Sequence, residues 1–275
     1  MKKTYVVTSC DKKIKDWLRD NSFNLDYNQL QSYLRRKDIT VNKNKIDSHA
    51  IVKKGDVVQI WDKIPQLPYT FSAHVPTWNG NDCIFKNDDL FVINKPYGLS
   101  TQGDKHDSAF LRVQNLFVKQ KIRVHTIHRL DKVTTGTLIF ALKRDMAKQL
   151  CESISTWRKK YIAILPKTSL LEGIRESFES DKQLVTKYKI IGHYDQFSLA
   201  TFELVTGRKH QIRKHCAQLG FPIVGDTLYG SNYNVQTCLH CYAIYIPHLT
   251  FTFRSNLPDH MVNLYPNIAN YMASI

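Results

Sequence analysis

Apolar residues near the start of the chain recur at helical spacing: Ile14, Trp17 and Leu18 share one helical face, and Leu30, Tyr33 and Leu34 repeat the pattern. Arg35, Arg36 and Lys37 follow where the pattern predicts a helix C-terminus, a place that suits cations because the helix dipole is negative there. The period then shortens. Ile39 and Val41, the polar turn 42–45, Ile46, the turn Lys54-Gly55-Asp56 and the run 57–61 read as short strands. Over 62–82, Pro65, Pro68, Pro76 and Gly80 interrupt any period and predict a linker. Beyond Cys83 the pattern predicts strands over 90–94, 137–142, 160–165 and 200–204, then a helix over about 210–219 ended by Gly220. The expectation is an α+β chain with a sizeable sheet, divided into segments 1–61, 62–82 and 83–275.

Composition narrows the partners. With 39 Lys and Arg against 24 Asp and Glu among 275 residues, the formal charge is +15, and 43% hydrophobic content is enough to bury a full core. Disordered, collagen-like and disulfide-scaffold chains are excluded. A sequence pI of about 9.5 attracts polyanions, so nucleic acid or an anionic surface is the expected partner class. The front is the most basic part: the first 60 residues hold 13 cations against 7 acids, a net +6, and the rest hold 26 against 17, a net +9. The longest apolar run, 138–142, is strand-sized, so no membrane association is expected. The N-terminus lacks the apolar core of a signal peptide, and Asp11, Asp16 and Asp20 argue against a transit peptide. Six scattered cysteines fit a reducing compartment, which leads to the cytoplasm, with an organelle matrix as the alternative.

Several chemistries lack their motif. No Gly precedes Lys, which removes the P-loop, and no G-x-G-x-x-G occurs, which removes the usual dinucleotide site. No nucleotide cofactor is therefore expected. The pair Cys238 and Cys241 with His240 between them suggests a metal, but a structural zinc needs four ligands and buried free thiols are the simpler account. No metal is expected.

The segment from about 11 to 61 resembles the alpha-L RNA-binding domain, a small module of two helices and a few strands. Leu34-Arg35-Arg36-Lys37, Val41-Asn42-Lys43 and Gly55-Asp56-Val57-Val58 carry the likeness. Arg35, Arg36, Lys37, Lys43 and Lys45 would then form one cationic surface for the phosphates of a folded RNA.

The stretch Ile127-His128-Arg129-Leu130-Asp131-Lys132-Val133-Thr134-Thr135-Gly136 places one carboxylate beside a cation at a strand entrance. Read alone, Asp131 is a salt-bridge member, or a nucleophile or base whose charge the cation maintains. The stretch resembles the signature of the RluA family of RNA pseudouridine synthases. Asn94-Lys95-Pro96-Tyr97-Gly98-Leu99, Lys159-Lys160-Tyr161-Ile162-Ala163 and Thr206 to His215 resemble further family motifs in the expected order, and the tail Gly220 to Gly230 continues the last of them. Thr135 stands where Ser is common, and Thr227 where Pro is usual. Gly136 and Gly207 are expected as turn residues.

The likeness implies a pseudouridine synthase fold with a mixed, largely antiparallel central sheet, and isomerisation of uridine to pseudouridine without a cofactor. Asp131 matches the catalytic aspartate, acting as nucleophile or as base on the sugar. Arg213 matches the arginine that pairs with it, and Tyr161 the aromatic that packs on the base. Arg129 matches the residue that supports base flipping, and Ile212 lines the base pocket. His128, Arg208 and His210 are expected as substrate contacts or as satisfied structural polar groups. The likeness points to large-subunit ribosomal RNA, with transfer RNA as the alternative; a monomer is expected. A non-catalytic RNA-binding assembly factor on the same fold is the competing class, against which the retained Asp131, Tyr161 and Arg213 weigh.

Overall fold

The computed structural model describes residues 1–8, 11–21, 23, 25, 27–64, 78, 82–104 and 107–272. It divides into two units, Met1–Phe71 and Ser72–Ile275. Most of the expected linker, including Pro65, Pro68, Pro76 and Gly80, lies outside the described residues.

In the first unit, β1 (Lys2–Val6), β5 (Val57–Trp61) and β3 (Ile39–Val41) form an antiparallel sheet in that order, and β2 (Lys12–Lys13) pairs with β4 (Ile51–Val52). Helices α1 (Ile14–Asp20) and α2 (Tyr27–Arg35) bring Ile14, Trp17, Leu18, Leu30 and Leu34 into one core with Ile39, Val58 and Ile60. Leu30 and Leu34 are four residues apart, so a single helical stripe supplies both. The chain leaves α2 through Lys37 in the left-handed conformation (φ 62°), where Asp38 N–H reaches back to the Tyr33 carbonyl at 2.9 Å. The turn after β3 also takes left-handed backbone, at Asn42 (φ 49°) and Lys43 (φ 65°). Asn42 locks it to the 53–56 turn: its side chain donates to Asp56 at 2.8 Å and accepts from Val57 N–H at 2.8 Å.

The second unit is built on a ten-stranded sheet among the described residues. Its strands are β6 (Cys83–Lys86), β7 (Leu90–Lys95), β8 (His125–Thr126), β9 (Thr135–Ala141), β10 (Arg158–Pro166), β11 (Glu172–Glu179), β12 (Lys182–Tyr194), β13 (Phe197–Leu204), β14 (Leu239–Ile246) and β15 (Phe251–Arg254). The spatial order is β11-β12-β13-β10-β14-β9-β7-β6, with β15 beside β14 and β8 beside β9. Only the short β14–β9 pairing is parallel, so the sheet is mixed and largely antiparallel, as expected of this α+β chain. Helices α3 (Ala109–Phe117), α4 (Arg144–Ser153), α5 (Gln211–Gln218), α6 (Asp259–Leu264) and α7 (Ile268–Met272) complete the unit. Every residue of β9 is buried, which explains its continuous apolar run. Gly136, expected in a turn, instead lies inside β9 at φ 114°. A Cβ there would run into the Cys241 backbone, so glycine permits the parallel pairing.

Candidate active site

The loop between β8 and β9 carries Asp131, and the residues on either side of it are tied to the 95–101 segment. Thr101 Oγ1 accepts from Leu130 N–H at 3.0 Å and donates to the Leu130 carbonyl at 2.8 Å. Two residues on, the Lys132 carbonyl accepts from Gly98 N–H at 3.0 Å and from Lys95 Nζ at 3.4 Å. Lys95 is fully buried and also donates to the Leu99 and Pro96 carbonyls, at 2.7 and 2.9 Å. Burial pulls its pKa down to about 7, while the nearby Asp131 opposes the shift. Asp131 itself is about four-fifths buried by side chain, projecting from a backbone held on both sides.

Across the cleft, α5 presents Ile212 and Arg213 among its buried residues. Gln211 anchors the start of the helix. Its side-chain oxygen accepts from Thr206 Oγ1 and Arg208 N–H, and its amide donates to the Val185 carbonyl and Thr186 Oγ1 of β12. The expected direct pairing of Arg213 with Asp131 is corrected here. Arg213 makes a bidentate bridge to buried Asp226, with Nε and Nη2 at 2.6 and 2.7 Å, and its guanidinium lies 4.9 Å from the centre of the Tyr229 ring. The physical reason is that Asp226 offers both oxygens to the planar fork from a site as dry as the arginine's own. Burial works against the Arg213 charge, but the hydrogen bonds and charge of Asp226, helped by Asp131 and Tyr229, outweigh it and push its pKa up. A third residue thus fixes a cation in the field of Asp131.

Tyr161 is buried on β10, near the Cys241 thiol of β14. Burial, then Cys241 and Asp131, raise its pKa well above the usual phenol value, so the hydroxyl keeps its proton. His128 Nε2 accepts from Ile139 N–H at 3.1 Å, and the ring packs edge-on against Trp157. Burial, followed by Lys159, pulls the His128 pKa down to about 3, which makes it a neutral structural member of the wall. His210 approaches Asp131, with Nε2 3.7 Å from Oδ1. Arg129 and Arg208 are exposed at the rim. Together with Lys159 and Lys209 these residues line a cleft of about 240 Å³.

The structure therefore gathers Asp131, Tyr161, Arg213, Arg129, His128, Ile212, Arg208 and His210 around one cleft. Arg35, Arg36, Lys37, Lys43 and Lys45 are exposed in the first unit, where Arg36 pairs with Asp38 at 2.9 Å. Sequence reasoning assigned no role to Lys95, Thr101, Asp226 or Tyr229. Asp226 and Tyr229 were within reach, because they stand in the tail 225–230 that continues the α5 motif. His240, the tempting metal ligand, has Nδ1 at 2.8 Å from Thr135 Oγ1 and Nε2 at 3.0 Å from Ser255 Oγ. Burial raises the thiols of Cys238 and Cys241 to about 12, so both stay protonated.

Residues 89–218 match the family model described as RNA pseudouridylate synthase. The transfer RNA pseudouridine synthase C of Haemophilus ducreyi is 33% identical over 183 residues, covering 54% of this chain and 74% of the relative. The RNA pseudouridine synthase YhcT of Bacillus subtilis is 30% identical over 226 residues, covering 73% of each chain. The ribosomal large subunit pseudouridine synthase C of Rickettsia typhi is 30% identical over 258 residues, covering 79% of this chain and 83% of the relative. Among solved structures, the human RNA pseudouridylate synthase domain containing 4 superposes with a TM-score of 0.57 at 24% identity, over 66% of this chain and 91% of that one, which shows the fold.

Proposed function

The chain belongs to the RNA pseudouridine synthase family and isomerises uridine in RNA to pseudouridine; from that premise we propose that Asp131 acts at the sugar and that the substrate is large-subunit ribosomal RNA. The reaction breaks the bond from C1′ to N1 of the base, turns the base over and joins C1′ to C5. The proton lost from C5 is balanced by the one N1 gains, so the reaction needs no oxidant or group donor, and we propose that no cofactor takes part. The observation that carries the assignment is the placement of Asp131 in the cleft opposite buried Arg213 and beside buried Tyr161.

In this reading Asp131 is nucleophile or base at the ribose, and its clamped backbone holds it in place as RNA enters. Arg213, fixed by Asp226, supplies a positive field that strengthens once RNA has excluded water. Tyr161, kept protonated, offers the flipped base a flat face, and Ile212 closes the pocket beside it. Exposed Arg129 fills or guards the gap left in the stack, and Arg208 takes a phosphate. We also propose that segment 1–61 is an RNA-binding domain and that its five exposed cations hold RNA before the uridine flips. The large-subunit relatives match over more of this chain than the relative named for transfer RNA, 79% in R. typhi against 54% in H. ducreyi. Transfer RNA is the second reading, favoured by the 33% identity of that H. ducreyi relative. The proposed setting is a monomer in the cytoplasm, where the free thiols of Cys83, Cys151, Cys216, Cys238 and Cys241 fit a reducing milieu, with an organelle matrix as the alternative.

Two measurements test this. Pseudouridine maps of total RNA, with and without the gene, should differ at a site in large-subunit ribosomal RNA; a change confined to transfer RNA selects the second reading. Asp131→Asn keeps the shape and removes the charge, so single-turnover conversion should fall by at least about 1,000-fold while thermal melting stays near wild type. A folded variant with activity near wild type excludes catalysis by Asp131.

A further inference from the structure

We propose that His210 is a positioning residue for Asp131, and that Tyr229 fixes which of its ring nitrogens carries the proton. This rests on the reading of Asp131 as the reacting carboxylate. His210 immediately precedes α5 and Arg213 stands in its first turn, and both line the cleft that holds Asp131. Its Nε2 lies 3.7 Å from Asp131 Oδ1, and its Nδ1 lies 3.0 Å from the Tyr229 hydroxyl. The two rings meet edge to face at 86°. One chain of groups therefore runs from Tyr229 through His210 to Asp131.

Only one proton arrangement suits that chain. If Nδ1 carried the proton and donated to Tyr229, the lone pair of Nε2 would face a carboxylate oxygen, and two acceptors would repel. If the Tyr229 hydroxyl donates to Nδ1, Nε2–H faces Oδ1 and attracts it. Burial, with Arg213, Lys209 and Lys214 behind it, holds the His210 pKa below its usual value against the opposing pull of Asp131. A neutral donor is the result. It can steer one oxygen of the carboxylate, leaving the other for the ribose, without neutralising the charge the reaction needs.

The backbone supports this reading. His210 sits at φ 57°, a left-handed conformation that histidine and asparagine tolerate better than most residues but that still carries strain. Strain retained at the start of α5 aims the ring at Asp131. Tyr229 serves both neighbours of the carboxylate, since the ring that orients His210 also lies against the Arg213 guanidinium. Its own place is set by the turn that holds Asp226, where Tyr229 N–H donates to the Asp226 carbonyl at 3.0 Å. A phosphate contact suits His210 less well, because a neutral ring facing a carboxylate adds little beside exposed Arg208 and Lys209.

The test separates positioning from RNA binding. His210→Asn tolerates the left-handed backbone but cannot reach Asp131, and Tyr229→Phe keeps the ring under Arg213 while losing the hydroxyl. With RNA prebound, single-turnover conversion should fall by about 10- to 100-fold in His210→Asn and by less in Tyr229→Phe, with RNA affinity unchanged in both. Nitrogen-15 shifts of the His210 ring should report Nε2–H in the wild-type protein and a mixture of tautomers in Tyr229→Phe. A drop in affinity at an unchanged conversion rate would overturn the proposal in favour of a phosphate-binding role, and an Nδ1–H tautomer in the wild type would overturn it outright. The tautomer is read without turnover, so it tests the pairing even if His210→Asn fails to fold. A wild-type protein that converts no uridine would count against the assignment of Asp131, and the ring shifts would still decide the role of Tyr229.

Discussion

The two units of this chain use positive charge in opposite ways. Arg35, Arg36, Lys37, Lys43 and Lys45 in the first unit are all exposed, and the ion pair Arg36 makes with Asp38 lies at the surface. In the second unit Arg213 is 4% exposed and commits its donors to fixed oxygens of Asp226, while fully buried Lys95 has its pKa pulled down to about 7. An exposed cation keeps its water until a phosphate replaces it, so it adds affinity with little demand on the fold. A buried cation has lost its water already and survives only where hydrogen bonds compensate. Placement therefore differs: the first unit carries these cations on its surface, whereas the cleft holds a charge at one point in space.

Unpairing a buried cation should have the largest consequence. Asp226→Asn leaves the Arg213 guanidinium in a dry site with an amide in place of a carboxylate, and unfolding in urea should show a loss of about 3 to 5 kcal/mol. The same substitution frees the cation that faces Asp131, so activity should fall beyond what the lost folded fraction explains. A loss below about 1 kcal/mol would mean that the pair is far better solvated than its burial implies, and that the two units differ less than their exposures suggest.

Much of this arrangement was legible beforehand, and what was missed has physical causes. The buried strands β7, β9, β10 and β13 announced themselves as apolar or alternating runs, and the Asp131 loop and α5 stood out as motifs. The hairpin β11–β12 did not, because β11 exposes Ile174 and Phe178 and intersperses charged residues, leaving no clean apolar face to read. The partner of Arg213 was misassigned for a different reason. Sequence motifs bring both Asp131 and Asp226 near the arginine, and only the folded 225–230 turn decides which carboxylate presents two oxygens to it. The buried histidines were equally hidden, since a histidine accepting a strand N–H looks the same in sequence as one awaiting a phosphate.

Those histidines extend the contrast between buried and exposed groups to acid. Burial sets the pKa values of His128 and His240 at about 3 in the folded protein, against an ordinary value of 6.5. Between these limits the unfolded chain binds protons that the folded chain refuses, so stability is lost as pH falls below about 6.5 and the loss is complete near 3. Two such groups give a slope of about 2.7 kcal/mol per pH unit once both titrate in the unfolded chain, measured as urea stability between pH 6 and 5. A flat profile there would show that the rings are charged or exposed.

The smallest effect on the fold belongs to the front unit. Arg35, Lys43 and Lys45 are exposed, and Lys43 occupies a turn held by Asn42 and Asp56 with no help from the Lys43 head group. Replacing all three with Gln removes charge while keeping the side-chain stems, so stability should change by no more than about 0.5 kcal/mol per site. RNA binding should weaken, and the slope of log affinity against log salt should become shallower by about 0.7 to 0.9 for each phosphate no longer neutralised. Conversion of RNA already bound should proceed at the wild-type rate, because the described residues lining the Asp131 cleft belong to the second unit. An unchanged salt slope would make this surface merely solvated. A slowed conversion of bound RNA would show that front and cleft share one task, against the division of labour that their burial suggests.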